Sequence, residues 1–176
     1  MPISLEFPEL DFNGTQIGFE HLKPFRYELT GHGKGGQSIY VRISFQSHVF
    51  SQTAGENEPL YFLDENGNNR AFCPHRYKSS LRLPALCEDM LAKNVLTWES
   101  KDRSSTSNLT VVNDNLVSGE NYAIYYYLFP SRLDDCDVEL VVKSAYTREI
   151  DFAKIKRRYK SVQKIKECYF NQKVVP

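Results

Sequence analysis

The chain has no net charge, no paired cysteines and no long apolar run. Its 176 residues carry 22 Lys+Arg against 22 Asp+Glu. That balance excludes a chain that binds polyanions through bulk positive charge. No stretch reaches the roughly 18 apolar residues that a membrane-spanning helix needs. The four cysteines, Cys73, Cys87, Cys136 and Cys168, are scattered and form no C-x-x-C pair. They read as reduced thiols in a cytoplasmic protein. The opening MPISLEFPELDF is acidic and lacks a basic start followed by an apolar run. It is not expected to act as a secretory leader. There is no P-loop, no Rossmann glycine pattern and no G-x-S-x-G elbow. Gly31 to Gly36 is rich in glycine but lies between two expected strands, so it reads as a hairpin tip.

What the chain does have is segregated charge. Residues 152–173 hold eight Lys/Arg and a single acid, Glu167. That stretch carries +7, and the remainder of the neutral chain therefore carries −7. Such asymmetry points to a basic face for nucleic acid or for an acidic protein partner. Phe152, Ile155, Tyr159, Val162, Ile165 and Tyr169 recur every three or four residues, which predicts one basic, amphipathic C-terminal helix.

Elsewhere the pattern alternates between strand and helix signals. Residues 1–23, broken by Pro2, Pro8 and Gly14, are expected to form an irregular arm before a single domain over 24–176. Phe25–Leu29 and Ser38–Phe50 read as a hairpin, with Arg42, Ser44, Gln46 and His48 on one face. Residues 60–63 and 70–72 flank an Asn-Gly turn and suggest a second hairpin. Pro74 opens a helix over 75–93, which Pro84 should kink or divide. Residues 95–99, 109–112, 122–129 and 138–146 read as four more strands, the third buried on both faces. The polar stretch 100–108 reads as a loop. The order predicts an α+β fold, with a central antiparallel sheet and helices packed on one side.

Three polar clusters carry the candidate chemistry. One is the Arg42–His48 strand face. Another is the run Cys73-Pro-His-Arg-Tyr-Lys-Ser-Ser-Leu-Arg82 at a helix start. The last is Lys143-Ser-Ala-Tyr-Thr-Arg148, where a strand leaves the sheet. Cleaving an RNA phosphodiester requires proton transfer at the 2′ and 5′ oxygens and cations around the phosphorus. His48, His75, Arg76, Tyr77, Tyr146 and Arg148 are the catalytic candidates. Arg42, Lys78, Arg82, Lys154, Lys156, Arg157, Arg158 and Lys160 are the candidate nucleic-acid contacts. No cofactor or resident metal is expected. Cys73, His75 and Cys87, joined by His48 or Cys136, form a competing zinc arrangement, but no second paired motif completes it.

Arg70-Ala-Phe-Cys-Pro-His-Arg-Tyr-Lys-Ser-Ser-Leu-Arg-Leu-Pro84, with Ser47-His-Val-Phe-Ser51 and Val142-Lys-Ser-Ala-Tyr-Thr-Arg148, resembles a family of small bacterial and prophage proteins. That group carries an S-x-H-x-F strand, an F-D-P-x-R-Y-x-x-S-x-x-L-P helix start and a closing S-A-Y-x-R. Cys73 stands where the group usually has an acid. The resemblance implies a shared fold. A second likeness, at the level of fold alone, is to RelE-like and BrnT-like ribonuclease toxins, and it implies a setting in toxin–antitoxin, mobile-element or antiphage defence systems. The expectation is therefore a nucleic-acid-binding protein acting as a metal-independent endoribonuclease. The alternative is a non-catalytic module that docks an acidic partner through the basic C-terminal helix. Neither reading involves a membrane.

Overall fold

The computed structural model describes residues 6–58, 62–102, 106–112 and 116–176. Its centre is a mixed, seven-stranded sheet. In chain order the structure opens with β1 (Leu10–Phe12) and β2 (Thr15–Ile17), followed by β3 (Phe25–Leu29), β4 (Ile39–Phe45), β5 (Ser51–Thr53), β6 (Phe62–Leu63) and β7 (Asn69–Phe72). Two helices come next, α1 (Pro74–Ser80) and α2 (Leu83–Ala92). Then come β8 (Leu96–Lys101), β9 (Ser107–Val111), β10 (Gly119–Pro130), β11 (Val138–Ile150), β12 (Tyr159–Lys160) and α3 (Ser161–Asn171). The large sheet runs β12-β8-β9-β10-β11-β4-β3, and β5-β7-β6 form a small second sheet.

The α+β class holds, with two differences in the sheet and its lead-in. The sheet is not wholly antiparallel, because β4 and β11 pair in parallel, Val41 with Val138 through Phe45 with Val142. The arm expected to be irregular contains the β1–β2 hairpin, Leu10 opposite Ile17. Phe7 and Phe19 of that arm pack on Phe50, with ring centroids 4.9 and 4.2 Å away. Residues 60–61 of the expected short strand, and 103–105 of the expected loop, lie outside the described residues.

Alternation along the strands sorts the two faces. Ile39, Val41, Ile43, Ile124, Tyr126, Leu128, Val138, Leu140 and Val142 point into one core, which α2 closes with Leu83, Cys87 and Met90 and α3 with Val162, Ile165 and Cys168. Pro84 does divide the expected helix, and α2 begins one residue before it. The opposite face carries a smaller cluster of Trp98, Val112, Ala123, Tyr125 and Phe152. Along the rest of that face lies a cavity.

The C-terminal expectation fails over its first half. Residues 152–154 form a single 3-10 turn, 155–158 are irregular, and Tyr159–Lys160 join the sheet edge opposite Thr97 and Leu96. Helix α3 starts only at Ser161. The periodicity arose differently at its two ends. Phe152 packs edge-on to Trp98 at 5.7 Å, on the face away from α3. Val162, Ile165 and Cys168 face the main core. Lys164 is itself buried, bonded to Glu167 at 2.9 Å and lying over the Tyr159 ring at 3.9 Å. Lys154, Lys156, Arg157, Arg158 and Lys160 are therefore not on a helix.

Docking of α3 through Ile165, which is 1 % exposed, predicts that Ile165→Ala costs about 2–4 kcal/mol. Lys166→Ala on the exposed side should change stability by less than about 0.5 kcal/mol. Urea unfolding of the two variants checks both, and equal effects would contradict this packing.

Candidate functional site

A β-bulge builds the cavity. In the β10–β11 pairing Tyr125 lies opposite Ser144, but Tyr126 lies opposite Val142, so Lys143 is an extra residue. Before the bulge, the even-numbered residues Val138, Leu140 and Val142 face the helices. After it, Ala145 takes over that role. Lys143, Ser144, Tyr146 and Arg148 are all turned onto the opposite face, where they line a cavity of about 960 Å³. Bulges re-aim side chains in this way without ending a strand.

The other wall comes from β5, β7, α1 and the turn after β4. Strand β4 stops at Phe45, and residues 47–49 make a 3-10 turn. His48 is thus not on a face shared with Arg42 and Ser44, as alternation suggested. Its Nε2 lies 2.7 Å from Asp64 Oδ2. Asp64 opens the β6–β7 turn, whose Gly67 has φ +76°. Its Oδ1 accepts from the backbone N–H groups of Asn66 and Asn68 at 2.9 and 2.8 Å. Burial alone would push the Asp64 carboxyl up, but the bonds from His48, Asn68 and Asn66 outweigh it and hold the group at about 2. Asp64 is therefore ionised and can only accept. The proton of that bond sits on His48 Nε2, which leaves Nδ1 as the nitrogen free to take another.

Two arginines meet beside His48. Arg70 is 5 % exposed, and its Nη2 donates to Ser51 O at 2.8 Å while its Nε donates to Ser51 Oγ at 3.0 Å. Arg76 Nη1 donates to the same Ser51 oxygen at 2.7 Å and to His48 O at 3.2 Å. The Arg76 guanidinium also lies over the Tyr146 ring at 4.9 Å. Burial first, and then the Arg76 charge, lowers the pKa of Arg70, with Asp64 and Glu65 offsetting part of the effect. Arg148 Nη1 donates to Tyr125 Oη at 2.9 Å. Among the described residues, none of these three arginines has a carboxylate within ion-pair distance. Lys143, in contrast, is paired with Asp102 at 2.7 Å.

His48, Arg76, Tyr146 and Arg148 thus line one cavity, and five other sequence candidates, His75, Tyr77, Arg42, Arg82 and Lys78, fall away from it. His75 is exposed on α1. Tyr77 donates to Gly18 O at 2.9 Å and packs edge-on against Phe19, so it ties down the N-terminal arm. Arg42 is held by buried Glu139 at 2.9 Å. Arg82 lies over the Tyr122 ring at 5.7 Å. Lys78 is exposed on α1 and does not line the cavity. The zinc arrangement does not assemble. Cys87 is fully buried in the core, with burial pushing its thiol up to about 12. Among the described residues, the one three-residue group with metal-ligand spacing is His48, Asp64 and Glu65. Glu65 is already engaged there by Ser47 N and Oγ at 2.7 and 3.0 Å.

Sequence reasoning missed Asp64, Arg70 and Tyr125. Asp64 showed only as a turn residue, Arg70 as a strand residue beside a turn, and Tyr125 as core. The Asp-x-Asn-Gly-Asn turn was the available signal, since an Asp that bonds backbone two and four residues on is locked in place.

The fold and cavity define a small α+β protein with a cavity lined by three arginines and by His48, whose ring is held from behind by Asp64. Residues 9–173 match the YjaZ family, and the chain belongs to it. No curated protein and no solved structure matches the chain.

Because the Asp64 pKa is depressed from 3.8 to about 2, its contribution to stability is complete above about pH 4 and is lost as pH falls towards 2. The difference is worth about 2 kcal/mol. Asp64→Asn should therefore destabilise the protein at pH 7 and flatten its stability profile between about pH 4 and 2. Denaturant titrations at the two pH limits check this, and an unchanged profile would contradict the assigned hydrogen bonds.

Proposed function

We propose that the cavity binds a nucleic-acid phosphodiester and that the protein is a metal-independent endoribonuclease. The observation that carries this reading is the convergence of Arg70, Arg76 and Arg148 without a carboxylate partner, beside a histidine oriented by an ionised aspartate. Arg70 is buried and Arg76 half-buried beside it, and two such cations held together without an ion pair favour an anion, with exposed Arg148 within the same cavity to meet it. A phosphodiester fits the planar donor forks of guanidinium groups.

In the reaction, His48 Nδ1 takes the proton from the 2′-hydroxyl, and Asp64 stabilises the resulting imidazolium. The 2′ oxygen attacks phosphorus, and the bond from phosphorus to the 5′ oxygen breaks. Arg76, Arg70 and Arg148 meet the charge that builds on the equatorial oxygens. Tyr146 Oη donates a proton to the departing 5′ oxygen and regains one from His48. The products are a 2′,3′-cyclic phosphate and a 5′-hydroxyl. This reading rests on the cavity and not on the likeness to ribonuclease toxins. Docking of an acidic protein partner is the lesser reading, because the basic residues 154–160 offer no helical surface for it.

Labelled single-stranded RNA tests the proposal. The pure protein should cleave it in the presence of EDTA and leave cyclic phosphate ends. His48→Ala should slow cleavage by about 10²-fold or more, whereas His75→Ala should stay within about twofold of the parent. Intact RNA, or full activity in His48→Ala, would refute the nuclease assignment.

A further inference from the structure

The cavity does not end at Arg148. Tyr125 and Arg148 also line a second cavity, of about 500 Å³, between the sheet and residues 149–155. That cavity shares Trp98, Ser100, Lys154 and Ile155 with a third, of about 490 Å³, which reaches Lys156 and Arg157. Through these shared residues the three cavities adjoin one another in a line along the sheet. The line begins at His48 and ends at the basic segment.

The charge along this line is uneven. Arg70, Arg76 and Arg148 mark its first part, and Lys154, Lys156 and Arg157 its last. Four acids also line it. Asp102 is paired with Lys143 and Asp151 with Lys154, at 2.7 and 3.5 Å. Glu99 faces buried Lys164 at 3.5 Å. Glu149 is exposed. Lys156 and Arg157 are exposed and, among the described residues, meet no carboxylate at ion-pair distance. Two cationic stations along a line of adjoining cavities fit a flexible chain of phosphates better than one small anion.

We infer that this line of cavities is a groove that binds a single polynucleotide strand several nucleotides long, running from His48 to Arg157, with Arg148 where the first two cavities meet. The inference rests on the phosphodiester reading and adds the form of the ligand. A flexible single strand can place phosphates at both cationic ends, with Arg148 between them. Tyr125 and Tyr146, stacked at 5.3 Å, hold Arg148 and Arg76 in place in the first cavity, Tyr125 through its hydroxyl and Tyr146 through its ring.

The test is binding of 2′-fluoro oligonucleotides, which lack the attacking hydroxyl and so report affinity without cleavage. A dinucleotide and a strand of about ten nucleotides are compared on the parent and on a Lys154→Gln, Lys156→Gln, Arg157→Gln triple variant. The parent should prefer the long strand by tenfold or more, and the triple variant should lose most of that preference. The slope of log affinity against log salt for the long strand should fall by about 2 in the variant, at about 0.7 per lost phosphate contact. Equal affinity for both lengths in the parent, a preference that survives the substitutions, or a duplex binding as tightly as the single strand would each overturn the groove. In those cases the phosphodiester site at Arg76 could still stand. Failure of the parent to bind either length would refute the phosphodiester reading itself, and the groove with it.

Discussion

Strand β11 cannot hold one side to the core along all of its 13 residues and also present Ser144, Tyr146 and Arg148 to the cavity without an extra residue. Lys143 supplies it. Through Val142 the strand is a core element, paired with β4 on one side and β10 on the other. Beyond Lys143 it keeps its hydrogen bonds to β10 but has left β4 behind. The space so released is taken by the 3-10 turn that carries His48 and by α1, which carries Arg76. Gln46 N still donates to Val142 O at 2.9 Å, so the turn starts at a fixed point on the sheet. The cavity is thus a consequence of where one strand pairing ends.

The polar groups then hold one another in place. Asp64 fixes the His48 ring, and its own carboxylate is fixed by the turn that follows it. Ser51 O accepts from both Arg70 and Arg76, so two positive groups are held side by side by a neutral oxygen. That arrangement costs electrostatic energy in the unliganded protein. Folding offsets the cost through the aromatic core behind it, where Phe50, Phe72 and Phe19 pack closely. An anion that enters the cavity relieves the repulsion, which is a physical reason for affinity without a large apolar contact.

Much of this architecture was legible in the residues. Alternation found β4, apolar runs bounded by turn residues marked β3, β10 and β11, and Pro74 and Pro84 marked the starts and the division of the helices. His48, Arg76, Tyr146 and Arg148 were singled out, and they do share one cavity. What could not be read was long-range. The parallel β4–β11 pairing joins residues about a hundred positions apart, and no local pattern encodes it. The bulge is silent in a sequence that alternates on both sides of it. Tyr77 looked catalytic beside Arg76, yet one step along the helix turned it into the core and onto Gly18. The C-terminal stripe misled because apolar residues spaced by three or four served two different faces, Phe152 under the sheet and Ile165 against the helices.

The central proposal is that Arg70, Arg76 and Arg148, which have no ion pair among the described residues, bind a phosphodiester. It is tested most directly by following the side-chain Nε–H resonances of the arginines by NMR while a 2′-fluoro dinucleotide is added. The account predicts saturable shifts at Arg70, Arg76 and Arg148, with Arg42 unmoved in its ion pair with Glu139. Shifts confined to Arg157 and Arg158, or none at any arginine, would contradict it.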